Sequence, residues 1–587
     1  VDDEKYPPRE LQHFINSQKE QGRRPSVVEA WDGYARKRVE LYEAYEAQCN
    51  KEGVVDFAEL LMRCHEQLSR NEALRRHYQE RFRYVLVDEF QDTNVLQYKW
   101  LKLLTGPDAA MFAVGDDDQS IYAFRGADVG NMRDFEREYK VTNVIRLEQN
   151  YRSHGNILDA ANAIIRNNDN RLGKNLWTDA GAGEPIRVFE AYSDLDEARW
   201  IVEEIKALAR DGHARAEIAL LYRANAQSRV LEHALFSAGL PYRVYGGLRF
   251  FERQEIKHAL AYLRLIANPD DDTSFARVVN FPTRGIGARS IEQLQDAARG
   301  AGSSLFAAAA LTSGKAAAFV ALIGRMKDVA HLPLPELVDH VVELSGLREH
   351  YKTDKEGQDR LANLDELVNA AASFVAEEGV VGAEGELSAD LIAFLAHAAL
   401  EAGEHQAGEG DDALQLMTVH SAKGLEFNVV FLSGLEEGLF PHENSATEPK
   451  GLEEERRLMY VAVTRARQRL YLSHAQTRML HGQTRYNLPS RFIEEIPAGL
   501  IKWLTPKVAK SFGVSPRLTS VQEPRASYAP RSGGSGWRIG QSVRHAKFGE
   551  GIIVNLEGGG ADARAQINFG GAGMKWLALA VAKLEAA

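Results

Sequence analysis

The chain has 587 residues, too many for one hydrophobic core, so several domains are expected. Its 44% apolar and 26% charged residues are ordinary for a soluble protein, and no apolar run is long enough to span a bilayer. A net charge of −12 argues, averaged over the molecule, against a nucleic-acid partner, but phosphate binding depends on local basic surface, so that class stays open. The two cysteines, Cys49 and Cys64, imply no disulfide framework and fit a reducing, cytoplasmic setting. No signal peptide is recognisable. The first residue is Val1 and the opening VDDEKYPPRE is charged, which reads as a cut or processed start.

Up to about residue 80 the chain is rich in helix formers, with a stop at Gly53. From Tyr84 short apolar runs alternate with helical patterns: YVLV (84–87), MFAV (111–114), NVIRL (143–147) and IALLY (218–222). Between the first two, NVLQYKWLKLL predicts a helix closed by Gly106 and Pro107. This alternation implies βαβ units and a mostly parallel sheet. From roughly 250 to 408 the pattern is almost wholly helical; the strand texture returns at LQLMTV (414–419) and VVFL (429–432). The helical block therefore reads as an insertion in an α/β domain. Residues 498–536 read as a flexible linker, locally basic through Lys507, Lys510, Arg517 and Arg525 against Glu523. The glycine-rich last fifty or so residues, from 537 to 587, predict a small β-barrel.

Five stretches carry chemistry. In RYVLVDEFQDTN (83–94), Asp88 and Glu89 stand at the end of an apolar run. Such acids either hold magnesium and activate water beside a triphosphate or merely solvate a strand end. In AVGDDDQSIYAFRGAD (113–128), Gln119 can contact a γ-phosphate, while Tyr122 and Phe124 beside Arg125 are either core rings or a platform for single-stranded bases. LEQNYRS (147–153), expected directly after a strand, offers Tyr151 for adenine stacking and the planar donor fork of Arg152 for a γ-phosphate. In LMTVHSAKGLEFNVVFL (416–432), Glu426 can accept from a ribose hydroxyl, and His420 and Lys423 can face a phosphate backbone. In EEERRLMYVAVTRARQRLYL (453–472), Arg465 is either a partner of the helix dipole or an arginine finger. TRGIGARS (283–290) is either an interhelical turn or a place where Gly285 and Gly287 let backbone amides approach a phosphate.

Taken together, in this order, the five stretches resemble motifs II to VI of superfamily-1 DNA helicases, most closely the UvrD/PcrA/Rep branch. RVLEHALFSAGLPYRVYGG, FFERQEIKHALAYLR and GLEEGLFPHE are similar to that branch as well. The resemblance implies an α/β fold of two RecA-like parallel-sheet domains, the first incomplete, with helical insertions and a small C-terminal β-barrel. The expected division is a 1B-like helical insertion (1–80), a partial 1A-like domain (81–146), a 2A-like domain in two parts (147–248 and 409–497), a 2B-like insertion (249–408), the linker (498–536) and an SH3/Tudor-like barrel (537–587). It further implies ATP and Mg2+, with Asp88 on the metal, Glu89 as catalytic base, Gln119, Arg152 and Arg465 on the γ-phosphate, Tyr151 on adenine and Glu426 on ribose. Tyr122, Phe124, Arg223 and His420 match the DNA track, and Gly285 and Gly287 match a loop that grips duplex.

The implied activity is ATP-dependent 3′→5′ unwinding of DNA at single-strand/duplex junctions in bacterial excision or mismatch repair. The implied partners are repair proteins, and RNA polymerase through the terminal barrel; a structural cap is the competing reading of that barrel. Yet no G-x-x-x-x-G-K-[ST] phosphate loop occurs in the chain. The expectation is an N-terminally shortened or cleaved chain lacking at least ~30 residues of a strand–loop–helix unit, and therefore weak in ATP hydrolysis on its own. The alternative is a DNA-binding scaffold without ATPase activity; a helicase–nuclease subunit is opposed by the lack of an acid-rich region after the sixth motif. Spacing from Arg465 puts the family's duplex-splitting aromatic at His481, with Tyr486 as a substitute. In the complete enzyme His481→Ala is expected to reduce unwinding of tailed duplex more than single-strand-stimulated ATPase, measured side by side; equal losses overturn the assignment.

Overall fold

The structure, a computed structural model, describes residues 5–169, 171–354, 357–378, 389–403, 411–446, 448–480 and 483–505, and in the C-terminal part 537, 541–545, 547–557, 564–569, 574–579, 582 and 584–586. Most of the basic linker and His481 lie outside these residues. Among the described residues no helix is long and apolar enough to cross a membrane.

Strands β1 (Tyr84–Val87) and β2 (Ala110–Ala113) pair in parallel, Tyr84 opposite Ala110 and Val87 opposite Ala113. The helix between them, Val95–Leu104, starts at Asn94, where Asn94 and Gln97 exchange side-chain and backbone hydrogen bonds, and ends just before Gly106-Pro107. Four helices spanning Pro8 to Arg81 precede this unit, and Gly53 closes the second of them in the left-handed conformation at φ 70°. On one face of the strand pair, Tyr84 and Leu86 are 78% and 75% exposed. Parallel strands are normally covered on both faces, so this face is unusually bare.

A larger sheet contains β3 (Ile186–Ser193), β4 (Ile218–Tyr222), β5 (Tyr242–Val244), β6 (Leu414–Thr418), β7 (Phe427–Leu432), β8 (Ala466–Leu480), β9 (Gln483–Tyr486) and β10 (Ile501–Trp503). Their order is β10-β3-β8-β7-β4-β6-β5, parallel throughout, with β9 folded antiparallel on β8. Every residue of β4 is buried, as its unbroken run of apolar side chains requires of a central strand. Ala219 and Leu221 pack on one side with Met417 and Val461; Ile218 and Leu220 pack on the other with Ile201 and Leu235.

The run NVIRL, expected as a strand, enters no ladder; beside it only an isolated bridge pairs Gln149 with Trp177. Val144, Ile145 and Leu147 are exposed, so no neighbouring backbone or apolar layer holds the run in a sheet. The LEQNYRS stretch thus follows an irregular segment.

Between β5 and β6 the chain leaves the sheet and forms a run of helices from Gln254–Ala267 to Ala389–Gly403 around one core that includes Leu260, Phe275, Phe319, Val338 and Leu367. At the C-terminus, β11 (Ser542–His545), β12 (Gly549–Glu557), β13 (Arg564–Asn568), β14 (Met574–Ala578) and β15 (Leu584–Ala586) form an antiparallel sheet in the order β14-β13-β12-β11-β15.

A buried ion cluster ties β8 to the rest. Arg478 pairs with Glu197, from the helix Asp194–Arg210, and donates to Glu436 at 2.7 Å. Both carboxylates are fully buried, and they also accept from Ser473, Gly434 N, Ala475 N and Asn487. Removing the shared cation strands two charges in low dielectric. Arg478→Ala is expected to lower unfolding free energy by about 3–5 kcal/mol, read from the urea midpoint.

Candidate functional site

Asp88 and Glu89 lie exposed at the carboxyl end of β1, the edge where parallel sheets present ligand-binding side chains. Glu89 adopts φ 49°, a left-handed backbone that costs a non-glycine residue about 1–3 kcal/mol. Phe90 N donating to Val114 O at 2.9 Å and Gln91 Nε2 donating to the Glu89 carboxylate at 2.5 Å hold that turn. Asp88 uses one oxygen to accept from Glu89 N at 2.9 Å. An exposed hard oxygen donor of this kind fits Mg2+, which keeps most of its waters.

The next acids are engaged differently. Asp118 accepts two bonds of 2.7 Å from Arg171, Lys174 pairs with both Asp116 and Asp118, and Leu172 N donates to Asp117 at 2.7 Å. One carboxylate oxygen from each of Asp116, Asp117 and Asp118 lies within 4.8 Å of the others, but Arg171 and Lys174 already pair with Asp116 and Asp118 and Leu172 N occupies Asp117, so they make a poor cation cradle. Gln119 donates to Asp116 at 2.6 Å, which fixes its amide beside this cluster.

Lys423 was expected to face nucleic-acid phosphate. Instead it turns towards the β1 edge: its Nζ lies 2.6 Å from Asp92, 3.4 Å from Glu89 and 2.9 Å from Gln119 O. Burial pushes the Asp92 carboxyl up in spite of this cation. A buried acid recruits the nearest ammonium, and the turn after β6 delivers Lys423 there.

From the larger sheet come the other charged groups. Arg152 binds Glu426, and Arg467 lies 3.5 Å from the same carboxylate. Glu426 would have to exchange these partners to reach a ribose hydroxyl. Arg465 sits in the turn between the helix Pro449–Val463 and β8 and is only 1% exposed. It donates to Val461 O and Leu425 O, both at 3.0 Å, and to Thr464 Oγ1 at 3.2 Å. Among the described residues no carboxylate forms an ion pair with it. Burial, and then the neighbouring Arg152, pull its pKa down to about 10. Arg152 and Arg467 share the one carboxylate of Glu426 and Arg465 pairs with none among the described residues, so positive charge is left unspent here. Tyr151, 85% exposed and tethered through its hydroxyl to Gln149 at 2.9 Å, offers a free ring beside them.

Next to this centre runs an aromatic strip. The rings of Tyr122 and Phe124 lie 6.0 Å apart, and His420 meets Phe124 edge-on at 5.7 Å. Arg125 lies over both rings at 5.2 and 5.4 Å. Phe124 is 66% exposed, which excludes the core-ring reading for it. Burial, and then Arg223, lower the His420 pKa to about 4, so it is a neutral ring at pH 7. Arg223 itself is held by Glu455 at 2.8 Å.

Gly285 and Gly287 lie apart from this strip, in the helical block. Asn280 Oδ1 accepts from Arg284 N and Ile286 N at 2.9 and 3.0 Å, pinning the loop. Gly285 has φ +70°, and a Cβ there would stand 2.3 Å from Lys315 Nζ. Gly287 precedes the helix Ala288–Ala301 without a side-chain cap, with open space around it. The structure therefore gathers Asp88, Glu89 and Gln119 on one sheet, Tyr151, Arg152, Glu426 and Arg465 on the other, and Tyr122, Phe124 and His420 beside them, with Arg223 close to His420. Sequence reasoning missed Arg171 and Lys174 because RLGKN carries no motif and their partners lie more than 50 residues away.

Three family descriptions match the chain: "UvrD/REP helicase N-terminal domain" over residues 1–140, "UvrD-like helicase C-terminal domain" over 145–477 and "PcrA/UvrD tudor domain" over 539–585. The chain belongs to the UvrD-like helicase family. Among its relatives, DNA helicase II of Escherichia coli is 49% identical over 599 residues, covering 100% of this chain and 82% of that protein. ATP-dependent DNA helicase PcrA of Bacillus subtilis is 40% identical over 614 residues, again covering 100% and 82%.

Lys174 is 17% exposed and stands between two carboxylates and the Tyr460 ring, 5.2 Å away. Lys174→Met is expected to cost about 3 kcal/mol of stability in urea unfolding, because it leaves Asp116 and Asp118 short of a partner. An unchanged midpoint would show the cluster to be surface decoration.

Proposed function

We propose that this chain is the motor region of an ATP-dependent DNA helicase that moves 3′→5′ on single strands and opens duplex ahead of it. The observation that carries this reading is the buried Arg465 beside Arg152 on the larger sheet, without a carboxylate partner among the described residues, together with the exposed Asp88 and Glu89 at the end of β1 on the smaller one. That arrangement suits a triphosphate held between two RecA-like sheets, 1A-like and 2A-like, with the helical blocks as 1B-like and 2B-like insertions.

In this reading Glu89 accepts the proton of the attacking water, and Gln119 orients that water or the γ-phosphate. Arg152 and Arg465 stabilise charge developing on the transferred phosphoryl group, Tyr151 stacks on adenine, and Glu426 turns to the ribose. Asp88 would hold Mg2+, which when bound neutralises phosphate charge. Tyr122, Phe124 and neutral His420 stack on successive bases, about 1–3 kcal/mol each, while Arg223 meets the backbone. Gly285 and Gly287, with Lys315 beside them, grip duplex phosphates, and His481 splits the base pairs. Repair of bacterial DNA in the cytoplasm fits this activity, and the Tudor-like sheet suits contact with a protein partner such as RNA polymerase.

The test uses the full-length gene product. Glu89→Gln is expected to lower DNA-stimulated ATP turnover by roughly 10²–10⁴-fold while nucleotide binding persists. Duplexes with a 3′ single-stranded tail are expected to be opened and those with a 5′ tail left intact. Tight DNA binding without ATP consumption would leave a passive scaffold as the better reading, and preference for the 5′ tail would overturn the polarity.

A further inference from the structure

Away from the acids and arginines described above, three side chains converge where the helical block meets the larger sheet. His397 and Glu401 stand one turn apart on the helix Ala389–Gly403, and His233 comes from the helix Ser228–Ser237 that follows β4. Glu401 Oε1 lies 2.6 Å from His233 Nδ1 and 2.9 Å from His397 Nε2. The two imidazoles meet at 5.4 Å, nearly edge to face. One ligand atom from each of the three residues falls within 4.8 Å of the others. They line a cavity of about 30 Å³ together with Arg229, Phe251 and Phe374. A single water needs roughly 10–15 Å³, so there is room for an ion and a bound water.

We propose that His233, His397 and Glu401 form a site for a zinc-class divalent transition-metal ion, which rivets the last helix of the helical block to the helix behind β4. Two imidazole nitrogens select such an ion over Mg2+ or Ca2+, and one carboxylate with two histidines leaves an open position that the cavity supplies with water. Tetrahedral metal–ligand bonds of about 2.0–2.2 Å put ligand atoms roughly 3.3–3.6 Å apart, so the two contacts of Glu401 open by about 0.5–1 Å on binding. The ion takes the place of the hydrogens that bridge the imidazoles to Glu401, with each ring presenting a lone pair to the metal.

The surrounding charges allow it. Arg229 is tied to Glu366, and Arg249 spends its donors on Glu252 and on the main-chain carbonyls of Glu401 and Ala402. The Glu401 side chain is 6% exposed, but those of His233 and His397 are 19% and 26% exposed, so an ion can enter. His233 and Glu401 are separated by 168 residues, and a bond through metal between them clamps two segments distant in the chain.

The test uses untagged protein, stripped with chelator and titrated with Co2+ in the absence of nucleotide. One Co2+ per chain, with visible absorption bands of a nitrogen- and oxygen-ligated ion, is expected. His397→Ala and His233→Asn are each expected to weaken binding by roughly tenfold or more, and to abolish the rise in melting temperature that Zn2+ gives the unaltered chain. No visible bands from the unaltered protein, displacement of Co2+ by millimolar Mg2+, or full binding by both variants would each overturn the proposal. The first two need no variant, so a misfolded substitution leaves the test intact.

Discussion

Everything at the centre depends on opposite charges placed on the facing edges of two parallel sheets. The smaller sheet ends in carboxylates, Asp88, Glu89, Asp92 and the run from Asp116 to Asp118. The larger one sends cations back: Lys423 to Asp92, Lys174 to Asp116 and Asp118, with Arg171 alongside on Asp118. Surface pairs of this kind would be worth little. These are partly or wholly buried, where an unpaired charge is costly, so the contacts fix which edge of one sheet meets which edge of the other.

That constraint explains why the remaining groups divide as they do. Acids satisfied within the edge are structural, whereas Asp88 and Glu89 stay exposed. On the opposite edge Arg465 is buried yet satisfied, among the described residues, only by carbonyls and a hydroxyl. His420, which meets Phe124 of the aromatic strip, belongs to the turn that also supplies Lys423. One turn thus ties a ring of the aromatic strip to a cation at the acid cluster.

Much of this was legible in the sequence for physical reasons. YVLV and IALLY are unbroken apolar runs and both form parallel strands, although only IALLY is buried on both faces. The chemistry-bearing stretches stood out because acids, amides and arginines cluster at strand ends where packing gives no reason for them. NVIRL misled because a strand exists only with a neighbour, and periodicity does not reveal one. The roles of Lys174, Arg171 and Lys423 were hidden for a related reason: their partners lie 53 to 331 residues away, and isolated lysines and arginines look alike in a sequence. Glycine readings were mixed too, since Gly285 is required by its own backbone whereas Gly287 is not.

The left-handed turn at Glu89 has one more consequence. A glycine there would relax the backbone and raise the stability of the fold, yet it would delete the only carboxylate that this bend aims outward. The position is therefore one where durability and work pull in opposite directions. An engineering campaign that selects for heat resistance alone should drift towards Glu89→Gly and, on the catalytic role proposed for Glu89, would trade activity for sturdiness.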